Sequence, residues 1–338
     1  MIKQTLFDRL PGGRNVYLYT IQNTSGASAS FLNIGAAIHS VVVPDRKGTM
    51  QNVALGYSDA EHYLHTVTYA GAVCGRVANR IASAEFDLNG RIYQLRANDG
   101  KNQLHGGPGG FHQKLWDAEI CNNSLHFRLE SPDGDENYPG KLQIQVTYAF
   151  DEDNTLSISY EAVSNADTLC ALTNHAYWNL AGYGSGDPLG QTIQILADFY
   201  TPIDADVLPT GQIAPVSGPL DLRKPTRIIS GKESGDPQIA LVYGYDHNFV
   251  LRNYCPEKLL PAACLRDPQS GRQMWVSTTM PGIQFFSGSQ QPDGHTGVAL
   301  ETQFFPNAMS YWWFPSIVLR KGKVQRSRTE YHFGIMTE

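Results

Sequence analysis

Cysteine is sparse in this chain and badly placed for any bridge or cluster. Cys74, Cys121, Cys170, Cys255 and Cys264 are odd in number, far apart and never spaced as C-x-x-C. That pattern argues against a disulfide framework or a cysteine-based zinc site and for free thiols in a reducing compartment. Basic charge is short as well: 26 Lys and Arg stand against 32 Asp and Glu, a net charge of −6 with a pI near 5.9. Such a balance leaves no electrostatic footprint for DNA or RNA. Long apolar runs are missing. The opening stretch from Met1 to Arg9 interrupts its apolar residues with charges, so it has no signal-peptide core, and nothing later approaches membrane-spanning length. A cytoplasmic protein with no nucleic-acid or membrane partner is expected.

Helical patterning is equally scarce. Ser58 with Glu61 reads as the cap of one short helix through Tyr63, residues 238–242 read as a turn, and no ten-residue apolar stripe recurs at helical period. What the chain has in abundance is alternation. Leu142, Ile144, Val146, Tyr148 and Phe150 alternate with polar or small residues, and Leu156, Ile158 and Tyr160 alternate with serines, so the two runs predict a hairpin about the acidic turn 151–155. Asn89-Gly90 marks a second hairpin over 86–95, because both residues tolerate positive φ. Further strands are expected over 16–21, 40–43, 125–129, 192–196, 274–278, 283–287 and 298–303. With 32 glycines and 19 prolines at the turns, the fold class is all-β, a large antiparallel sandwich with very little helix. No linker, charge block or repeat divides it. The Pro- and Gly-rich loop 204–219 is the best boundary candidate, but similar strands follow it, and a single domain over 1–338 is expected.

Familiar catalytic signatures are absent. His62 and His65 are three apart, with Glu61 before rather than after the first, which does not fit a metalloprotease helix. Gly106-Gly107-Pro108-Gly109-Gly110 lacks the Lys-Ser/Thr of a phosphate loop and reads as a multiple turn, and no G-x-S-x-G occurs. Polar clusters in turn-rich sequence remain. Gly75 to Ile81 carries Arg76, Asn79 and Arg80; burying Arg76 would require a partner. His105 stands at the edge of the glycine turn. Thr173-Asn174-His175-Ala176-Tyr177-Trp178-Asn179-Leu180 sets an imidazole among amides and rings, and on this stretch alone it reads equally as a core histidine or as an acid or base at a sheet rim. Asp246 precedes His247, Gln284 lies on a strand, and Glu301 shares a strand face with Gln303. Jointly these supply a carboxylate, histidines, Arg and amides, an inventory suited to acid–base work on a polyhydroxylated substrate.

At these residues the chain resembles the aldose 1-epimerase (galactose mutarotase) family. The matching segments are 75–81 (GRVANRI), 104–116 (LHGGPGGFHQKLW), 131–140 (SPDGDENYPG), 173–180 (TNHAYWNL), 245–249 (YDHNF), 281–288 (PGIQFFSG) and 300–308 (LETQFFPNA), in the family's order. The resemblance implies a single-domain β-supersandwich that interconverts the α and β anomers of a free hexose without metal or cofactor, as a monomer or homodimer. It makes Glu301 the base, His175 the acid at the ring oxygen and His105 an assistant. Asn79, Arg80, Asp246 and Gln284 become sugar-binding positions. In this scheme Glu301 is ionised while His175 is protonated, favoured by nearby opposite charge. The chain departs from the family at Trp178, Asn307, the short segment between Gln284 and Glu301, and the aromatic run 309–314, all of which bear on substrate preference. The competing readings are a non-catalytic sugar binder, a hexose-phosphate mutarotase and a glycosidase using Asp246 with Glu301.

Overall fold

The computed structural model describes residues 2–65, 67–288 and 297–337. Its strands pair antiparallel in three larger sheets. The largest runs in the order Asp117–Cys121, Ser124–Ser131, Leu142–Phe150, Thr155–Ser164, Val324–Ile335, Arg272–Thr278, Leu260–Arg266, Thr192–Ile195, Thr226–Arg227. A six-stranded sheet follows the order Tyr177–Trp178, Val298–Gln303, Gly282–Phe286, Asp246–Leu251, Ala197–Thr201, Ala214–Pro215. The first fifty residues make a five-stranded meander from Ile2–Arg9 to Met50–Asn52. No helix among the described residues is long and apolar enough to cross a membrane, and all five cysteines are free.

Alternation explains the large sheet. In Leu142–Phe150 every second residue is buried, and the register sets Val146 opposite Tyr160 and Tyr148 opposite Ile158, so both strands turn one apolar face inward. That face joins Phe31, Phe127, Trp178 and Tyr331 in the main core. Burying each such side chain contributes about 1.5–3 kcal/mol. Val298–Gln303 differs, because all six of its residues are buried. Leu300 joins the core, while Glu301 and Gln303 point to the opposite face. The strand is thus covered on both sides yet carries a buried carboxyl.

The Asn89-Gly90 hairpin forms as expected, pairing Glu85–Leu88 with Arg91–Gln94. The helix start does not. The helix is Ala60–His65, and the side chain of Asp59, not Ser58, accepts from the His62 N–H. Residues 238–242 fall largely within a helix, Pro237–Leu241, capped by Asp236. The loop 204–219 divides neither sheet: Ile193 before it pairs with Leu265 after it, and Tyr200 with Phe249. Part of the short segment before Glu301, residues 289–296, lies outside the described residues.

Candidate active site

The six-stranded sheet supplies one wall. Gln284 lies opposite Glu301 on one side and Asn248 on the other, and Asp246 is two residues from Asn248, so all four share a face. His175 enters from the turn between Thr173–Asn174 and Tyr177–Trp178. That turn is tied down at both ends: the His175 N–H donates to Ala72 O at 2.9 Å, and Gly71 N–H donates to His175 O at 2.9 Å. Asn174 completes it, donating to Gly71 O and accepting from Ala176 N–H. The outcome is an imidazole Nε2 3.5 Å from Glu301 Oε1, both side chains buried.

The second wall is Arg80–Ile81 paired with Gln103–Leu104. The backbones of Tyr69, Asn79 and His105 all have positive φ, between 50° and 59°. Such strain costs on the order of 1 kcal/mol or more per residue and concentrates where a side chain must be aimed. Glycines make the aim possible: a Cβ on Gly106 would lie 1.8 Å from Gly75 O, and one on Gly107 2.6 Å from the Glu136 carboxylate. Glu136 in turn accepts from Gly109 N–H and pairs with Arg96. Arg76 is 2% exposed and donates to Ser131 Oγ, Ser131 O, Pro132 O and Pro139 O, locking the 131–140 turn. Its required partners are neutral oxygens rather than a carboxylate. Segments 75–81, 104–116 and 131–140 are thus one interlocked scaffold behind His105.

One cavity of about 110 Å³ is lined by Asn79, Arg80, His105, His175, Asp246 and Glu301. Gln284 stands behind it, donating to Asp246 Oδ1 at 2.6 Å. Arg80 bridges two carboxylates, with Nε 2.8 Å from Asp99 and Nη1 3.7 Å from Asp246. A larger hollow of about 600 Å³ lies against the outer face of the nine-stranded sheet among Gln145, Ser159 and Arg326, and holds none of these groups. Tyr69, Tyr177 and Phe286 also line the cavity and were not among the expected site residues; the Tyr69 ring lies 4.6 Å from that of His105. Phe286 is two residues from Gln284 on one strand, so the strand period pointed to it, and Tyr177 belongs to the same motif as His175. Tyr69 carries no such signal. Trp178 packs away from the cavity against Tyr331 and Phe333, and Asn307 holds the Arg80 strand through Arg80 O and Ala82 N–H.

Residues 17–332 match the aldose 1-epimerase family model. The chain belongs to the aldose 1-epimerase family. It is 39% identical to a galactose mutarotase of Mus musculus, with 99% of each chain covered, and 34% identical to an aldose 1-epimerase of Escherichia coli (strain K12), with 96% of each covered. Among solved structures, a galactose 1-epimerase from Lactobacillus acidophilus NCFM superposes with a TM-score of 0.87 at 27% identity, covering 100% of this chain and 99% of that one. An aldose epimerase homologue from C. elegans gives 0.86 at 27% identity, covering 94% and 98%.

Electrostatics in this family member run against the charge state expected from sequence. Burial pushes the Glu301 carboxyl well above its usual range, with Asp246 adding to the rise and Arg80 opposing it. Burial also pulls His175 down to about 4. Burial therefore acts on both groups in the same sense, favouring the uncharged form of each. His105 is held well below its usual value by burial, then by His175 and Arg80. Its Nδ1 accepts from Asn79 N–H at 3.2 Å, so the ring proton sits on Nε2. Donor atoms of His105, His175 and Glu301 lie within 4.8 Å of one another, a spacing open to a metal. With its Nδ1 lone pair committed and its Nε2 protonated, His105 has nothing to give an ion, which leaves fewer ligands than a catalytic zinc site uses.

Proposed function

We propose that this isomerase, a mutarotase acting on small sugars, interconverts the α and β anomers of free aldoses such as galactose and glucose by ring opening and reclosure. Breaking the bond between C1 and the ring oxygen requires that the C1 hydroxyl lose a proton while the ring oxygen gains one. Glu301 as carboxylate takes the first, and His175 as imidazolium supplies the second. The products are an open-chain aldehyde, a protonated Glu301 and a neutral His175. Rotation about C1–C2 followed by the reverse transfers closes the ring on the other face, and the sugar keeps its composition throughout.

The observation that carries this reading is the buried approach of His175 Nε2 to Glu301 Oε1. Burial favours the uncharged pair, which is the pair that accompanies the open aldehyde. Forming the carboxylate and imidazolium that start ring opening therefore works against desolvation, and Arg80 opposes the rise on Glu301. His105 donates its Nε2–H to oxygen at C1 or in the ring without changing charge. Asn79, Arg80 and Asp246 hold the hydroxyls, with Gln284 supporting Asp246 from behind, and Tyr69, Tyr177 and Phe286 face the C–H surface. A phosphorylated hexose fits less well, because Arg80 already spans Asp99 and Asp246. The chain is taken to work as one domain, in the cytoplasm, as a monomer or homodimer. Polarimetry of freshly dissolved α-galactose tests the function: acceleration at catalytic protein concentrations is expected, and the spontaneous rate alone would refute it. Release of nitrophenol from nitrophenyl galactosides would instead mark a glycosidase.

A further inference from the structure

Three buried amides behind the sugar cavity have polar atoms with no partner among the described residues. They are Gln303, 1% exposed, with neither Oε1 nor Nε2 bonded, together with Asn248 Oδ1 and Gln284 Oε1. Sheet register gathers them. Asn248 is opposite Gln284, and Gln303 is opposite Gly282, the neighbouring residue on that face of the Gln284 strand. Gly282 leaves the space they share: a Cβ there would lie 2.4 Å from Asn248 Oδ1 and 3.1 Å from the Phe305 ring, which closes over the patch. Flipping the Gln303 amide changes nothing, since both ends are unpaired. Buried polar atoms are almost always satisfied, and a sheet with no use for these amides would be better served by apolar side chains.

We propose that Asn248, Gln284 and Gln303 form an internal water site whose occupant positions Gln284. Three acceptor oxygens and one NH2 donor match the needs of one or two waters, which donate twice and accept from Gln303 Nε2. Anchoring Gln284 Oε1 in this way keeps its Nε2 turned toward Asp246 Oδ1, 2.6 Å away. Released, the amide loses its second fixed bond, and only the contact to Asp246 still holds its Nε2. Asp246 is the acceptor that also faces Arg80, so the effect reaches the hydroxyl-binding side of the cavity. Gln303 is on this view a positioning residue, and its kinetic consequence rests on the mutarotase reading.

High-resolution diffraction of the wild type and of Gln303→Met tests the site. An ordered water bonded to Asn248, Gln284 and Gln303 is expected in the wild type, lost or displaced in the variant. For galactose, KM should rise about tenfold with kcat within about twofold, and Gln303→Asn, which keeps both the amide oxygen and the NH2 donor, should recover part of the loss. A wild-type map in which the amides bond one another with no solvent between them would overturn the proposal, as would a folded Gln303→Met with unchanged KM. Should Gln303→Met fail to fold, the wild-type map alone decides. Diffraction needs no turnover, so it stands or falls apart from the mutarotase reading.

Discussion

Arg76 and Arg80 lie four residues apart in one short motif and do opposite jobs. Arg76 is buried and bonded to hydroxyl and carbonyl oxygens of distant loops. Arg80 is partly exposed on the cavity wall and bracketed by two carboxylates. The same division runs through the histidines: His175 faces Glu301, whereas His247, beside Asp246 in sequence, is fully buried and packs against Tyr200. A motif therefore marks where scaffold and chemistry are spliced together, and the kind of partner tells them apart. Neutral oxygens on all sides mean architecture. A second ionisable group at the edge of a cavity is what the proposed chemistry needs.

Substitutions on each side of that divide should fail in different ways. Glu301→Gln is expected to lower mutarotase kcat by about 10²–10⁴-fold while the protein stays folded. Its stability should moreover rise relative to wild type with increasing pH. Glu301 has a raised folded pKa, so its contribution is present below the usual carboxyl value and lost as pH rises through the folded value; glutamine does not titrate. Thermal melts from pH 4 to 8 measure this. Arg76→Met should do the reverse, costing about 3 kcal/mol or more in denaturant unfolding by stranding buried carbonyls, with kcat of the folded fraction changed little. Asp246→Ala should raise KM about tenfold, more than it changes kcat, with a small shift in Tm.

The smallest effect at neutral pH, growing with acid, comes from the buried imidazoles. Burial lowers His39, His112, His175 and His247 to about 4. Unfolded, they take protons near 6.5; folded, they do not until about 4. Stability should therefore be full above 6.5 and fall steadily as pH drops from 6.5 toward 4. Replacing His247 alone with Gln, whose side-chain oxygen can still accept from Asp246 N–H, should flatten that slope, and an unchanged slope would count against its buried, neutral state.

Much of this was legible in the sequence, for reasons that can be named. Strand alternation in 142–150 and 155–164 reflects a half-buried sheet, a local signal. The candidate site residues were reachable because ordered motifs carry them: Asn79, Arg80, His105, His175, Asp246 and Glu301 line one cavity, and Gln284 stands behind it. What could not be read depends on distant partners. Nothing near Arg76 in sequence announces the carbonyls of 131–139, and nothing near Tyr69 shows that its ring will meet His105. The charge state of Glu301 and His175 is set by how much of the chain closes over them, which no short motif records. Asp59 displaced Ser58 as the helix cap because either residue can serve and the helix begins one turn position later. In the aromatic run, Tyr311 and Trp313 bond to Pro209 O and Gly211 O, while Trp312 is 90% exposed.

A double-mutant cycle on Glu301→Gln and His175→Asn probes the central claim, that Glu301 takes one proton from the sugar and His175 gives it another in a single ring opening. If they act as a unit, removing either disables both transfers, and the double variant should turn over galactose within about threefold of the slower single variant. Losses that simply multiply would show two independent contributions and contradict the paired transfers.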